Sequence, residues 1–408
     1  MTSEHVSRGL RLSFMQYNDL WRRERKLLHQ LTQPRAAVGY ERIQLQESAQ
    51  LALDLLNEPE QHWAHAQRYA GSTVLQITFN RRAKTNKDGS ITRMRTCNDQ
   101  MVRTAVPGAY LVDSLPLLNL LPTFLSPWKV HAASIFSQTR DLFEELYRDT
   151  VADKIGGECF VKRIEELRDE YELEDDQAFF LAGAMFGAGS DTTADAIETF
   201  IFAMTLYPDV AQRAQAELDT VVGRSRMPEF GDQAQLIYCQ AVVQELMRWR
   251  TVIPGGLAHM VTSDDIYEGY AIPKGASVIA NHWALHLDSE TYIDPSRFNP
   301  ERFIDSSGAL TGSKWSERGH HAFGFGRRIC PGIHIAERSI FITAVRVLWT
   351  LNFSQDPNHS PLRPDHPFST GFSSHPHTFP AMMSPRGDWV GRVVRETLES
   401  FGPGPVGM

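Results

Sequence analysis

A single cysteine, Cys330, lies in a loop of glycines and arginines that spans Phe323 to Gly332 and reads FGFGRRICPG. Pro331 suits the first turn of a helix, and apolar residues recur at helical spacing after it. A cysteine at a helix N-terminus faces free N–H groups and a positive dipole end, which favour the thiolate. The glycines leave room for a flat group against the backbone. These features fit a planar, anionic metal complex that takes one thiolate ligand, and haem is such a group.

This loop resembles the haem-binding signature of the cytochrome P450 monooxygenases. The signature is matched position by position at Phe323, Gly326, Arg328, Cys330 and Gly332. The resemblance implies that Cys330 is the axial ligand of the iron in haem b (iron protoporphyrin IX), with Phe323, Arg328 and Gly332 also binding the haem. The alternative is a buried free cysteine in a glycine-rich turn, which five spaced matches ahead of a helix disfavour.

A long apolar helix, predicted from about Asp176 to Tyr207, carries a second group of polar residues. Residues 187–193 read GAGSDTT, so glycine and polar side chains stand where a buried helix rarely has them. Asp191 and Thr192 resemble the acid and alcohol of the family's AGxDT motif, which help to deliver protons during oxygen activation. Thr192 can also bond back to the carbonyl four residues earlier. The alternative is a crossing of two helices at small residues, with Asp191 in a structural ion pair.

A helix predicted from about Leu20 to Leu31, capped by Asn18 or Asp19, carries Trp21 and Arg25. These two match the family's WxxxR, whose side chains hydrogen-bond a haem propionate. The basic residues of the helix point away from its apolar face, and the resemblance implies that this face binds an NADPH-dependent reductase. The alternative is an ordinary amphipathic helix with a solvated basic face. The basic residues are Arg22, Arg23 and Lys26.

Glu245 and Arg248 stand three residues apart on a predicted helix, and alone they would be read as an exposed pair worth about 0.2–0.5 kcal/mol. Together with Arg302 in the sequence PERF, they match the family's ExxR and PERF elements. The resemblance implies a buried Glu–Arg–Arg network that supports the fold around the haem. His259 falls where family members place a propionate-contacting His or Arg, although Ala258 replaces the proline that often precedes it.

The composition is that of a globular protein with a large core, since 42% of the 408 residues are hydrophobic. No linker, charge run or repeat divides the chain, so a single domain is predicted over residues 1–408, with the resemblance covering about 18–386 and a frayed tail at 388–408. The net charge of −8 argues against nucleic acid as a partner. The four cysteines are widely spaced, which indicates a reducing compartment and neither a disulfide framework nor a CxxC zinc site.

The N-terminal residues contain no secretory signal, and no apolar run is long enough to span a membrane, so an intracellular chain without a transmembrane segment is expected. Eukaryotic members of the family place an anchor, further helices and sheet strands ahead of WxxxR, whereas Trp21 here follows only twenty residues. The expected fold class is therefore mainly α with small β-sheets: a cytochrome P450 fold lacking the N-terminal anchor, the first helices and part of the N-terminal sheet. We also expect weak haem binding, poor turnover and a reading frame that begins upstream.

The function implied by the resemblance is insertion of one oxygen atom from dioxygen into a small lipophilic substrate, with electrons from NADPH through a reductase. The sequence resembles the fungal members of the family that act in secondary metabolism. The leucine-rich segment 108–127 resembles the region that covers the substrate, and 369–374 resembles the hairpin tip that enters the substrate cavity. One alternative is a haem-thiolate isomerase or dehydratase that uses no dioxygen, but such enzymes tend to lose the acid–alcohol pair. The other is a truncated, non-catalytic remnant.

Overall fold

The computed structural model describes residues 1–106, 108–153, 157–311 and 319–402. Helices joined by loops and short 3-10 turns make up most of it. The α-helices in these ranges are α1 (Asp19–Thr32), α2 (Pro34–Val38), α3 (Glu41–Asn57), α4 (His62–Phe79), α5 (Gly89–Ala105), α6 (Leu111–Ser114), α7 (Pro127–Ala152), α8 (Phe160–Leu167), α9 (Asp175–Leu206), α10 (Pro208–Val221), α11 (Ile237–Trp249), α12 (His282–His286), α13 (Ile333–Thr350) and α14 (Val390–Ser400).

The strands pair into small antiparallel sheets of two strands each. They are β1 (His259–Met260), β2 (Asp265–Tyr267), β3 (Tyr270–Ile272), β4 (Ser277–Val278), β5 (Leu351–Gln355) and β6 (Ala381–Pro385). β1 pairs with β4, β2 with β3, and β5 with β6, where Leu351 stands opposite Pro385. The first two sheets are almost fully exposed, whereas β5 buries Leu351 and Phe353 against the helices. The mainly helical fold with small sheets is therefore confirmed.

The 32-residue helix α9 is the centre of the fold, and it packs most extensively along α4. Its first half is nearly apolar on all sides, as expected of a helix enclosed by others. Its first half, through Phe186, belongs to one apolar cluster, and its second half, from Ala194 onward, belongs to another. Residues 187–193 belong to neither cluster. The predicted long helix is confirmed, and its polar centre lies where the two halves of the core meet.

Small residues let other helices approach α9 closely. A Cβ added to Gly183 would overlap the ring of Phe143 on α7, and one added to Gly189 would come within 2.7 Å of Val74 on α4. Overfilling such a contact forces side chains or backbone to shift. Packing thus explains the glycines of α9, as the alternative of a helix crossing at small residues predicts. Packing does not explain the acid and the alcohol beside them.

The helix α1 begins as the sequence predicts. Asn18 is its cap, and its side-chain oxygen accepts a hydrogen bond of 2.8 Å from the backbone N–H of Trp21. Trp21, Leu27 and Leu31 are buried on one side of the helix. This face packs against the core and leaves the charged face outside.

The prediction of a frayed tail is wrong for residues 390–400, which form α14. Val390, Val393 and Val394 recur at helical spacing and are buried, and the helix packs on α3. Residues 403–408 of that tail lie outside the described residues. The sequence analysis does not predict helix α5. Asp88 caps this helix, and its carboxylate accepts hydrogen bonds from the backbone N–H groups of Ser90 and Ile91. Among the described residues, no helix combines the length and apolar content needed to cross a membrane.

Candidate functional site

The Cys330 loop is a tight backbone turn immediately ahead of α13. The N–H of Cys330 donates to the carbonyl of Phe323 at 2.9 Å, which closes the loop. Gly324 and Gly326 have φ angles of +76° and +56°, in the left-handed region that favours glycine. From the sequence, these glycines are expected to leave room for a flat group. The structure shows that the turn itself also requires glycine.

Burial raises the pKa of the Cys330 thiol, although the N–H of Gly332 and the charge of Arg25 act in the opposite direction. The N–H at the start of the helix thus favours the thiolate, as the sequence predicts, but burial outweighs it in the protein by itself. Desolvation disfavours the charged form more than the dipole and the neighbouring groups favour it. A metal cation would reverse this balance, because a coordinating thiol loses its proton outright.

Helix α1 contacts the Cys330 loop through the residues that the WxxxR match singled out. A guanidinium nitrogen of Arg25 donates to the carbonyl of Ile329 at 2.5 Å. The guanidinium carbon of Arg328 lies 4.4 Å from the centre of the Trp21 ring. The indole N–H of Trp21 is buried and has no hydrogen-bond partner within the described residues. The structure thus brings Trp21, Arg25 and Arg328 together beside Cys330.

Arg328 also holds the segment that precedes α1. Its guanidinium donates to the backbone carbonyls of Leu12 at 3.3 Å and Met15 at 2.8 Å. Burial lowers the pKa of Arg328. A half-buried guanidinium that meets only neutral carbonyls keeps a net positive charge, so the site favours an anion.

The polar centre of α9 has an uncovered face. Ala188 is exposed and Ala184 is half-buried, although most of this helix is fully enclosed. The hydroxyl of Thr192 donates to the carbonyl of Ala188 at 2.8 Å, which confirms the predicted bond to the fourth residue back. An exposed alanine in the middle of a buried helix means that open space lies against that face. Helix α9 also packs directly on α13, the helix that follows Cys330.

Asp191 is held by a residue that sequence reasoning missed. The side-chain amide of Asn98, on α5, donates to Asp191 Oδ2 at 2.8 Å and to the Gly187 carbonyl at 3.0 Å. Burial raises the pKa of Asp191 to about 6, and the hydrogen bond from Asn98 limits the rise. The charges of Asp195 and Asp99 push the pKa in the same direction as burial.

Glu245, Arg248 and Arg302 form a buried network, so the alternative of an exposed pair is wrong for Glu245 and Arg248. Arg248 donates to both carboxylate oxygens of Glu245, at 2.7 and 2.8 Å, and both side chains are fully buried. Arg302 adds a bond of 3.1 Å to the same carboxylate. Arg248 also donates to the carbonyls of His286 and Pro295. The network therefore ties α11 to α12 and to the loop that follows α12.

The predicted propionate contact His259 is not connected to the Cys330 loop. His259 lies on β1 opposite Val278 with its side chain exposed, and within the described residues no hydrogen bond links it to the Cys330 loop.

The basic face of α1 is also partly neutralised. Arg22 is paired with Asp19, and Arg23 with Glu172. Lys26 is exposed, with its ammonium 5.5 Å from the centre of the Tyr171 ring.

The cytochrome P450 family model matches residues 2–381. The chain belongs to the cytochrome P450 family. The resemblance was predicted to extend from about residue 18 to residue 386. The match begins upstream of the first limit and ends close to the second. Cytochrome P450s are oxidoreductases with haem as cofactor, so this protein is a haem monooxygenase of that family.

Several fungal relatives are similar over almost all of this P450. A cytochrome P450 monooxygenase of Armillaria gallica is 36% identical, with 98% of this chain and 80% of the relative covered. Cytochrome P450 monooxygenase 58 of Postia placenta is 35% identical, with 98% and 77% covered. Cytochrome P450 monooxygenase atE of Aspergillus terreus is 33% identical, with 97% and 76% covered.

Solved structures show the same fold. A zebra fish cytochrome P450 determined with progesterone has a TM-score of 0.77 at 24% identity, covering 94% of this P450 and 87% of the other chain. A zebra fish cytochrome P450 determined with abiraterone has a TM-score of 0.74 at 23% identity, covering 95% and 87%. At this identity the likeness establishes the fold of the P450 and nothing about its ligands.

The described residues fit a haem. Cys330 offers one thiolate, and the positive charge of Arg25 and Arg328 beside it suits anionic propionates. The buried N–H of Trp21, unpaired within the described residues, is a donor that a propionate could satisfy. The uncovered face of α9 at Ala188 leaves space of the kind that a flat group needs.

Proposed function

We propose that this P450 inserts one oxygen atom of dioxygen into a small lipophilic molecule, as a step of secondary-metabolite biosynthesis. The observation that carries the proposal is the pair Asp191 and Thr192, set on an uncovered face of an otherwise buried helix with Asn98 fixing the acid. The fungal relatives are named as monooxygenases, and this supports the reaction class over an isomerase or dehydratase.

In this proposal the Cys330 loop and α1 hold the haem. Cys330 would supply the thiolate ligand of the haem iron, and Phe323 and Gly332 frame the loop around it. Trp21, Arg25 and Arg328 bind the propionates, as their convergence beside Cys330 supports. The bound haem supplies the electron-transfer and dioxygen chemistry, and a thiolate ligand favours O–O cleavage. His259 is proposed as a further propionate contact on its sequence position alone.

The proposed roles of Asp191 and Thr192 follow from their protonation chemistry. With a pKa of about 6, Asp191 can both hold and release a proton near neutral pH. Thr192 donates its own proton to the Ala188 carbonyl, so the lone pairs of its oxygen stay available to accept a hydrogen bond. Asn98 keeps the carboxylate in place by binding Oδ2. The pair therefore offers a proton source beside a fixed acceptor.

Exposed apolar side chains support a lipophilic substrate. Leu111, Leu117 and Leu120, in the segment that resembles the substrate-covering region, are largely exposed. Phe372, in the segment that resembles the cavity hairpin, lies 6.5 Å from the ring of Phe14. Apolar side chains in both of these segments favour an apolar ligand. We further propose that the single domain extends over residues 1–408 and that the basic face of α1 binds the reductase.

The experiment that tests the proposal is a CO-difference spectrum of the reduced, haem-loaded protein. Cys330→Ala is expected to abolish the thiolate-type Soret band. Cys239→Ala is the matched control: Cys239 is also a free cysteine, is fully buried, and should leave the band unchanged. A band that survives Cys330→Ala, or disappears in the control while haem stays bound, would show that the ligand assignment is wrong.

A further inference from the structure

Three acids form a stripe along one side of α9. Asp191, Asp195 and Glu198 are spaced i, i+4 and i+7, which places them on one face of the helix. Asp195 and Glu198 are only 3% and 2% exposed. Burying a carboxylate is costly unless it is paired, so each of these acids needs a partner.

The two buried acids each have a histidine partner, but the two pairs differ in their access to solvent. Glu198 Oε2 lies 2.9 Å from Nδ1 of His62, and both side chains are almost fully buried. Asp195 Oδ1 lies 3.1 Å from Nδ1 of His375, whose side chain is 31% exposed. Of the two histidine pairs, the second is therefore the one that reaches water.

His375 is held in a fixed orientation by a tryptophan. The ring of Trp63 stacks on the imidazole, with centroids 4.6 Å apart and planes inclined by 20°. The hydroxyl of Ser369 lies 3.2 Å from the same Nδ1. The second oxygen of Asp195, Oδ2, is buried and has no hydrogen-bond partner among the described residues. One oxygen of Asp195 thus binds His375, and the other is left without a protein partner.

We propose that His375 and Asp195 form a proton path from solvent to Asp191, an inference that rests on the proposed function. His375 takes a proton from water at Nε2 and gives the proton on Nδ1 to Asp195. Asp195 then gives a proton to the carboxylate of Asp191. One proton is moved to Asp191 in each cycle and no electron is transferred. Asp195 returns to its starting state, and Asp191 holds the delivered proton until it passes the proton on. His375 is left with its proton on Nε2 and exchanges it with water for one on Nδ1 before the next transfer.

The spacing of the two acids allows the last transfer. Residues four apart on a helix have Cβ atoms about 5–6 Å from each other, a gap that two carboxyl groups or one bridging water can span. The charge of Asp195 already acts on Asp191, because it contributes to the raised pKa of that group. The unpartnered Oδ2 of Asp195 is the atom available for this contact.

The pKa values of both ends of the path are raised. The hydrogen bond to Asp195 raises the pKa of His375 above its ordinary value of 6.5, and burial opposes the rise. Burial raises the pKa of Asp191 to about 6. Asp191 therefore exchanges its proton near neutral pH, and His375 keeps its proton to a higher pH than a free imidazole does. The other charged groups that act on these two are Glu198, Asp99 and Arg95.

The competing explanation is that Asp195 and His375 only fasten the C-terminal loop to α9. The pair of Glu198 and His62 separates the two explanations, because it has the same chemistry on the same helix face but no access to water. Asp195→Asn is the test and Glu198→Gln the control. Each substitution keeps the shape of the side chain and removes its charge. His375→Gln removes the exposed member of the path.

The functional measurement needs no known substrate. The haem-loaded protein is supplied with NADPH and a P450 reductase, and peroxide formed per NADPH consumed is measured in H2O and D2O between pH 6 and 9. Two electrons and two protons reduce dioxygen to peroxide, whereas four of each reduce it to two waters. With Asp195→Asn or His375→Gln, we expect the share of electrons ending in water to fall by roughly threefold or more and the solvent isotope effect to grow. Glu198→Gln should change neither.

A second readout is independent of turnover. Histidine-resolved hydrogen–deuterium exchange followed by mass spectrometry reports the pKa of His375, which should fall in Asp195→Asn and remain raised in Glu198→Gln. The path is refuted if both substitutions reduce the water share equally, or if neither does although the pKa of His375 falls. Loss of the thiolate-type CO band in the unmutated protein would overturn the proposed function and the path with it, whereas a normal band with an unaffected water share refutes the path alone.

Discussion

The hydrogen bond from Asn98 to Asp191 gives a direct test of how the protein sets the acidity of its proposed proton donor. Asn98→Ala removes a donor that lies 2.8 Å from the carboxylate and limits the rise of its pKa. A hydrogen bond to a charged group contributes about 1.5–3 kcal/mol, and one pH unit corresponds to about 1.4 kcal/mol. Because Asp191 is only partly enclosed, water will replace some of the lost bond, so the lower limit applies. The pKa of Asp191 should therefore rise further above 6, by about one pH unit.

The sign of the effect on stability follows from proton binding. The pKa of Asp191 is raised by burial from an ordinary 3.8 to about 6. The folded protein therefore binds more protons than the unfolded chain in this window, and the free energy of unfolding decreases as the pH rises through it. In Asn98→Ala the decrease should continue to about one pH unit higher. Below pH 3.8 the Asp191 contribution is the same in both proteins.

Two measurements check this prediction. The carboxylic C=O stretch of Asp191, identified as the infrared band that disappears in Asp191→Asn, is followed against pH in both proteins. Urea unfolding between pH 5 and 8 compares Asn98→Ala with the double variant Asn98→Ala, Asp191→Asn, which lacks the titrating group. An infrared midpoint that is equal in the two proteins would show that Asn98 does not set the acidity of Asp191.

Three further predictions concern the proposed chemistry, the partner and the fold. Thr192→Ala should bind haem normally but release more peroxide per NADPH; unchanged coupling would exclude a role in oxygen activation. Lys26→Glu should slow reductase-driven turnover but not peroxide-driven turnover, with Lys87→Glu, at another exposed lysine, as control; equal loss with both electron sources would indicate damage to α1. Glu245→Ala leaves the fully buried charge of Arg248 without its carboxylate, so urea denaturation should show a loss of about 3–5 kcal/mol, and a loss below 1 kcal/mol would contradict the network's proposed role.

Local patterns were sufficient to predict the main parts of the site. A few consecutive residues are enough to recognise each of three features: the Cys330 loop, the WxxxR helix and the polar centre of α9. Each of them has the predicted secondary structure. The spacing of Asp195 four residues after Asp191 was a signal that could have been read from the helix period. The pairing of Asp195 with His375 could not, because the two are far apart in sequence and only the packing of the C-terminal loop on α9 brings them together.

The acidity of Cys330 shows a different limit of sequence reasoning. The position of the residue before a helix is visible in the sequence and favours the thiolate. The degree of burial is decided by distant segments, and it raises the pKa of the thiol. The exposed basic face of α1 is a similar case, since the partner of Arg23 is Glu172, which the local helical pattern cannot indicate.

The packing of α14 on α3 has a consequence for the order of events during synthesis. The valine face of α14 covers part of a helix that was made roughly 330 residues earlier. At about 5–20 residues per second, the ribosome needs on the order of 15–70 s to add the missing cover. During that time the apolar face of α3 stays exposed on the nascent chain. Completion of this protein's core therefore comes late in synthesis, and cellular yield should depend on chaperones that protect the unfinished core.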